Sequence, residues 1–462
     1  MHRRTRALAL VAALAVGTSG CGTTAAGASP TVLTVQVTPG ATGEAYRALL
    51  GEYDRGNRDV RIVVRELAPE DARTDLLSDL GRTGLADIVT IDSTWLPELM
   101  PYSDLLAAVP KDVIGDEDDP RWAEWAVRAF TDPARRVVGY PASTAPRALC
   151  YRADLLSAAG LPAEPGAVAA QDWPTLLRTA ADYTAATGLP FLDSAQETFF
   201  VMMDQLAAPF EKRATGEIIA TTNPAVRTDY DRVTAVPAVF AGLEPGSDAW
   251  LAGAGTGAFA ASLCAAGTIG DADAATDADA TDPDADDVAA GTGTLATLRA
   301  AGWQVADVFP GGGATSALTA FAVPAAGAHV DRAREVAAWL TAPEQQLALF
   351  AQVGAFPTLQ LQEPEDADAP AAPEDLAAPE EAAPDATAEG EDAASDEADP
   401  FASPLAAVLR ERAAGIPALR FRGPASPEIE ALMRAALTGA LAGATTAGDA
   451  WDRWVQGVDA LT

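Results

Sequence analysis

The sequence predicts an α/β protein built as two lobes, and three observations carry that prediction. Strand-like and helix-like periodicities alternate through residues 33–91. The chain has 462 residues, 49% of them hydrophobic, so it has ample material for sizeable cores. Removing about 30 residues of leader and tether, and two acidic segments of 17 and 37 residues, leaves about 378 for folded structure, which suits two lobes.

The elements follow in order. Leu33, Val35 and Val37 alternate with polar residues, the period-two mark of a strand. Thr42 can cap a helix in which Tyr46, Leu49, Leu50 and Tyr53 share one face. Val60, Ile62 and Val64 alternate again; a helix from about Glu70 to Arg82 follows, then the apolar strand Ala86–Ile91. This β-α-β-α-β order implies a parallel sheet covered by helices. Ligands of such sheets bind beyond the carboxyl ends of the strands, where loops and helix N-termini converge. Attention therefore falls on Asp92-Ser-Thr-Trp95, directly after the third strand.

Composition removes several chemistries. The formal charge of −35 argues against a nucleic-acid binder, whose affinity comes largely from neutralising phosphates. Asp271–Asp287 holds eight acidic residues and Glu363–Asp399 holds fifteen, with no Lys or Arg in either, so most of the charge belongs to two segments that read as unfolded surface inserts. Of the two histidines, His2 lies in a leader, and His329 sits in a small-residue loop that reads as solvated. A Ser-His-Asp hydrolase or a His-ligated zinc site would have to run through that one residue. No catalytic residue, metal or cofactor is expected.

The leader reads His-Arg-Arg-Thr-Arg at 2–6, then an apolar run from Ala7 to Val16, then Gly17-Thr-Ser-Gly-Cys21. That is a secretory signal too short to span a membrane. Its end resembles a bacterial lipobox with Cys21 as the lipidated first residue, although Thr18 stands where the pattern prefers Leu. Cys150 and Cys264 remain; an exported protein can bridge them, but their apolar flanks predict two buried thiols.

Five stretches together resemble the bacterial extracellular solute-binding proteins that feed ABC importers, in particular the carbohydrate-binding group. They are Tyr53-Asp54 through Val64; Ala86–Trp95; Val138–Pro141 with Ala148–Leu156, Ala159–Pro162 and Asp172–Pro174; Gly255–Phe259; and Phe309–Gly313 with Arg334–Leu340, Pro343–Gln346 and Gly354–Pro357. The Asp-Ser-Thr-Trp loop is also similar to that of trehalose-type disaccharide binders. The resemblance implies a two-lobed periplasmic-binding-protein-like fold of type II, with crossings near Pro141–Arg147 and Phe309–Ala320. The implied division is 1–20 leader, 21–30 tether, 31–144 and 306–345 first lobe, and 145–305 and 346–462 second lobe. It further implies a cleft for a small solute, of mono- or oligosaccharide class, and partnership with ABC permease subunits at the outer face of the membrane. The alternatives are a polyamine or other solute on the same scaffold, and a surface lipoprotein with a decayed cleft and a structural or adhesive role.

A sugar offers hydroxyls and apolar ring faces, so its site needs carboxylates or amides beside aromatic rings. Asp92 and Trp95 offer one of each; their structural alternatives are a helix cap and a core tryptophan. Ser143 and Thr144 read either as hydroxyl contacts or as hinge-turn residues. Glu197 reads as a polar contact or as a helix N-terminal acid. Gly312 and Gly313, beside Ala314 and Thr315, could let backbone approach a ligand closely. The residues after Phe259 are Ala260-Ala-Ser-Leu-Cys264, where the family usually offers an aromatic, so either the cleft holds a small or unusual ligand or the ring comes from Trp250 or Trp303. Trp173, Trp451 and Trp454 read as packing residues.

Overall fold

The computed structural model describes residues 29–116, 120–169, 172–265, 302–306, 309–361, 401, 404–416 and 419–461. Cys21, the rest of the leader and both acidic segments lie outside these residues. Strands β1 (Thr31–Val37) and β2 (Val60–Glu66) pair in parallel from Thr31↔Val60 to Val37↔Glu66. Helix α1 (Ala41–Gly56) crosses between them and buries Ala45, Tyr46, Leu49 and Leu50. It starts one residue before Thr42, and Gly40, not Thr42, occupies the cap position at φ 96°. The expected threonine cap is thus corrected: the turn needs a residue that tolerates positive φ.

Helix α2 (Pro69–Asp79) then leads to β3 (Val89–Asp92). A parallel bridge at Val35–Ile88 joins β1 to β3. The sheet is not parallel throughout, as the local β-α-β pattern implied. β3 pairs antiparallel with β7 (Thr315–Ala322), and β7 pairs antiparallel with the thirteen-residue β4 (Tyr140–Arg152). Strands β5 (Ala261–Ala265) and β6 (Trp303–Val305) extend β4 beyond that point. The partner of β3 comes from more than two hundred residues downstream, so no local periodicity could reveal it.

Two large apolar clusters carry the two lobes. The first gathers side chains from Leu33 to Ala142 and from Leu318 to Leu340, and adds Leu349, Leu359, Ile416 and Leu419. It includes Trp125 and Ala126 on helix α3 (Glu124–Ala129). The second runs from Leu149 to Ala314 and from Ile429 to Val458. It holds helix α4 (Trp173–Thr187), capped by Asp172 through Thr175 N–H, and helix α5 (Ala195–Asp204). Helix α6 (Asp248–Thr256) packs Trp250 against Phe259 in a small satellite cluster. The chain changes clusters between Ala142 and Leu149 and again between Ala314 and Leu318. Ala306, Phe309 and Ala314 therefore pack with the second cluster rather than the first, and Leu349 and Leu359 with the first rather than the second. Helices α7 (Val330–Leu340) and α8 (Pro343–Val353) follow the return crossing.

Toward the end of the chain come helices α9 (Pro404–Ala414), α10 (Ser426–Leu441) and α11 (Ala447–Asp459). Trp451 and Trp454 are buried in the second cluster, as their packing role required. A buried ionic group fastens the returning chain: Arg420 reaches Asp204 and Glu430, each at 3.1 Å, and Arg422 reaches Glu430 at 3.3 Å. Cys150 and Cys264 form a disulfide, which corrects the expectation of free thiols. The antiparallel register of β4 on β5 sets Ala148 opposite Cys264 and Cys150 opposite Ser262, so the two cysteines are diagonal neighbours.

Candidate functional site

Register places three polar side chains in one row where β3, β7 and β4 lie side by side. Thr319 on β7 stands opposite Asp92 on β3 and opposite Ser143 on β4. Directly opposed residues of a sheet share a face. All three are half-buried, while Ile91, Leu318, Ala320 and Thr144 beside them are buried. Along β4 the same alternation leaves Ser143, Ala145 and Arg147 partly open and buries Thr144, Pro146 and Ala148. On β7 it leaves Ala317 and Thr319. The row sits at the carboxyl end of β3, where the chain passes between the two clusters.

The loop after β3 is held by its own polar groups. Asp92 Oδ1 accepts from Thr94 N–H at 2.8 Å and from Thr94 Oγ1 at 2.6 Å, which caps the single turn Ser93–Trp95. Both bonds fall on one oxygen. Ser93 Oγ accepts from Leu318 N–H at 3.1 Å and fastens the turn to β7. Trp95 is only 7% exposed and belongs to the first core. Asp92 thus combines a cap with a place in the row, whereas Trp95 packs.

The second lobe contributes charge. Arg147 Nη2 meets Glu197 Oε1 at 2.5 Å, with the side chains 12% and 21% exposed, and Arg147 Nη1 donates to Leu263 O at 3.1 Å. Glu197 lies in the first turn of α5, where Ser194 Oγ accepts its N–H at 3.2 Å and the helix dipole favours a carboxylate. This geometry meets the helix N-terminal reading of Glu197. Behind that turn, buried Asp193 accepts from Trp250 Nε1 at 2.7 Å, Ser262 Oγ at 2.6 Å and Ser194 N–H at 2.8 Å. Burial pushes its carboxyl up to about 6, against the lowering effect of these three donors. Trp250 is consequently a structural donor and not the substitute ring, and Trp303 donates Nε1 to Ala254 O while packing on Phe259.

Thr144 and Thr315 face away from the row. Their hydroxyls lie 2.9 Å apart, with Ala317 O within 3.0 Å of both and Ala145 O 3.1 Å from Thr315 Oγ1, so their two protons are shared among these acceptors. Thr144 N–H reaches Phe356 O at 2.8 Å, so the two crossing segments and the stretch around Phe356 are tied at one point. Buried Gln346 reinforces the tie, donating to Pro141 O and Thr341 O and accepting from Thr358 N–H. The glycine turn approaches backbone closely, but the backbone is the chain's own. A Cβ at Gly313 would stand 2.4 Å from Arg412 O, Gly312 lies beside Gly415, and Ala314 is fully buried.

Of the expected residues, then, Asp92 and Ser143 share a row, while Glu197 pairs with Arg147, four residues further along the same side of β4. Thr144 and Thr315 form a clasp, and Trp95, Gly313 and Ala314 pack internally. Thr319 and Arg147 were not singled out from the sequence, and the alternation in Thr315–Ala322 was the signal available for the first. A separate cavity of about 480 Å³ lies between α3 and the end of α9, lined by Trp125, Arg128, Leu359, Gln360 and Ile416 among others. None of the expected residues lines it. Among the described residues no group of metal-ligating side chains is found and no helix is long and apolar enough to cross a membrane.

Comparison with known proteins agrees with this architecture. The sequence profile described as bacterial extracellular solute-binding protein matches residues 48–378. No curated protein matches the sequence. A solved extracellular solute-binding protein of family 1 is similar at 25% identity and a TM-score of 0.75, over 93% of this chain and 99% of that one. The sugar-binding protein MalE from Xanthomonas citri shares 16% identity with a TM-score of 0.68, over 93% and 96%. A cyclic alpha-maltosyl-1,6-maltose binding protein from Arthrobacter globiformis shares 18% with a TM-score of 0.66, over 93% and 98%.

Proposed function

The chain belongs to the bacterial extracellular solute-binding proteins, and from that premise we propose that it is the lipid-anchored receptor of an ABC importer, closing its lobes around a mono- or oligosaccharide. The observation that carries the solute site is the row Asp92–Thr319–Ser143, flanked on the second lobe by Arg147 and Glu197. A carboxylate, two hydroxyls and a mutually compensated ion pair suit a neutral, hydroxyl-rich ligand. The side chains beside the row, Ala145 and Ala317, are small and half-buried. The sugar-binding names of the MalE and cyclic maltosyl-maltose relatives favour the same class. Thr144, Thr315 and Phe356, tied together between the clusters, serve as the pivot on this reading. Cys21 serves as the acylated residue. No catalytic step is assigned.

The test is a thermal-shift screen of the mature chain against sugars, polyols, amino acids and polyamines. A solute at about 100 times its Kd adds about 2.7 kcal/mol to the folded state. A sugar hit that vanishes in Asp92→Ala is the expected result. A hit confined to polyamines removes the carbohydrate assignment, and a stably folded chain that responds to nothing favours the decayed cleft.

A further inference from the structure

The first lobe carries a small patch of exposed valine and arginine side chains. Val32 and Val63 are 52% and 47% exposed and stand together on one face of the β1–β2 pair. The parallel register sets Val32 opposite Arg61 and Thr34 opposite Val63, so these four side chains form one square. Arg61, and Arg58 just before the strand, are exposed and meet no carboxylate among the described residues. Of the nearby acids, Asp59 pairs with Arg332 and Glu66 with Arg47, while Asp54 and Asp87 accept from the Ile62 and Thr34 N–H groups. In a chain of formal charge −35, two exposed valines beside two arginines without an ion pair among the described residues stand out.

We propose that this face docks on the anionic lipid headgroups of the membrane that holds the protein. Strand addition along β2 does not fit it, because the Ile62 N–H is already taken by Asp54 Oδ1 at 2.8 Å. The chain's path favours lipid. Cys21 precedes the first residue of β1, Thr31, by ten residues, which reach at most about 35 Å. An acylated Cys21 therefore keeps the β1–β2 end of the first lobe near the bilayer. Attraction between arginine and acidic lipid operates only within a Debye length of about 8 Å, so it acts on the patch and not on the distant carboxylates. The valines add apolar contact at the headgroup boundary. Docking there orients the tethered receptor. This inference rests on the lipid-anchor reading.

The experiment replaces Cys21 by Ser and tethers the mature chain to nickel-chelating vesicles through an N-terminal polyhistidine tag, so natural acylation plays no part. A fluorophore is placed at Val63→Cys or, as control, at Leu189→Cys on the second lobe, and is quenched by nitroxide-headgroup lipid. Quenching at position 63 should exceed that at 189 and rise when phosphatidylglycerol replaces phosphatidylcholine. Removing either arginine, as Arg58→Gln or Arg61→Gln, should lower the docked-to-free ratio about fivefold. Quenching that is independent of lipid charge, or equal at the two positions, overturns the proposal. Mass spectrometry of the native membrane fraction is read separately: charge-dependent docking with an unacylated Cys21 would discard the anchor reading alone.

Discussion

Ser143 and Thr144 are adjacent hydroxyl residues on one strand, and their surroundings differ in every respect. Thr144 is buried, meets Thr315 and Ala317 O, and shares its side of β4 with Pro146, Ala148 and Cys150. Ser143 is half-buried, has no hydrogen-bond partner among the described residues, and shares its side with Ala145 and Arg147. A strand that passes between two lobes thus sorts its residues by parity, one side fastening the passage and the other left partly open, where the proposed site lies. Residue type alone could not make that division, because both are hydroxyls in the same short run.

The fastening side yields the largest expected effect. The Cys150–Cys264 bridge closes a separation of 114 residues, and in the chain-entropy account a loop of that order is worth about 4–5 kcal/mol. Cys150→Ala with Cys264→Ala should lower denaturant-measured stability by about 3–5 kcal/mol. A loss below about 1 kcal/mol would show that the fastening side depends on packing rather than on the bridge.

Buried Asp193 gives an effect that depends on pH. Its carboxyl is raised to about 6 by burial, so between about pH 4 and 6 the folded state holds a proton that the unfolded chain has released. Stability from this group is therefore present at low pH and lost as pH rises through 6. The span amounts to on the order of 3 kcal/mol. Wild type should gain on Asp193→Asn as pH falls from 7 to 4.5; parallel pH profiles for the two proteins would remove the buried-acid account.

These residues also mark how far the sequence could be read. The opening strands and α1 were legible because their periodicities are local: Leu33, Val35 and Val37 are buried, as are Tyr46, Leu49 and Leu50. Asp92 was legible from its place after a strand. The disulfide was not, because the apolar flanks of each cysteine fit a buried thiol equally well, and only the register of β4 on β5 brings the two together. Thr319 escaped for the same reason, since its neighbours in the row come from strands far apart in the chain. Gly313 shows the opposite failure: the close approach was real, and the partner was Arg412 O of the same chain.

The clasp comes next in size. Thr144→Val removes the hydroxyl and leaves Thr315 with one partner fewer in a buried setting, a loss of about 1–2 kcal/mol. Thr315→Val should cost a similar amount, and the double variant less than the sum, because both singles break the same bond. Additive losses in that cycle would mean that the hydroxyls act separately through Ala317 O and Ala145 O.

The row carries the smallest effect on stability and the sharpest test of the division. The Ser143 and Thr319 hydroxyls are partly open to water and make no bond among the described residues, so Ser143→Ala and Thr319→Val strand no buried partner. Each should leave the unliganded protein within about 0.5 kcal/mol of wild type. A bound solute changes the account, because a hydroxyl that bonds it contributes about 1 kcal/mol, or roughly fivefold in Kd. Titrating the solute identified by thermal shift should therefore show weakened binding in both variants at nearly unchanged Tm. If Thr319→Val instead lowers the unliganded Tm as far as Thr144→Val does, the two sides of the sheet are doing the same job and the row loses its claim to be a site.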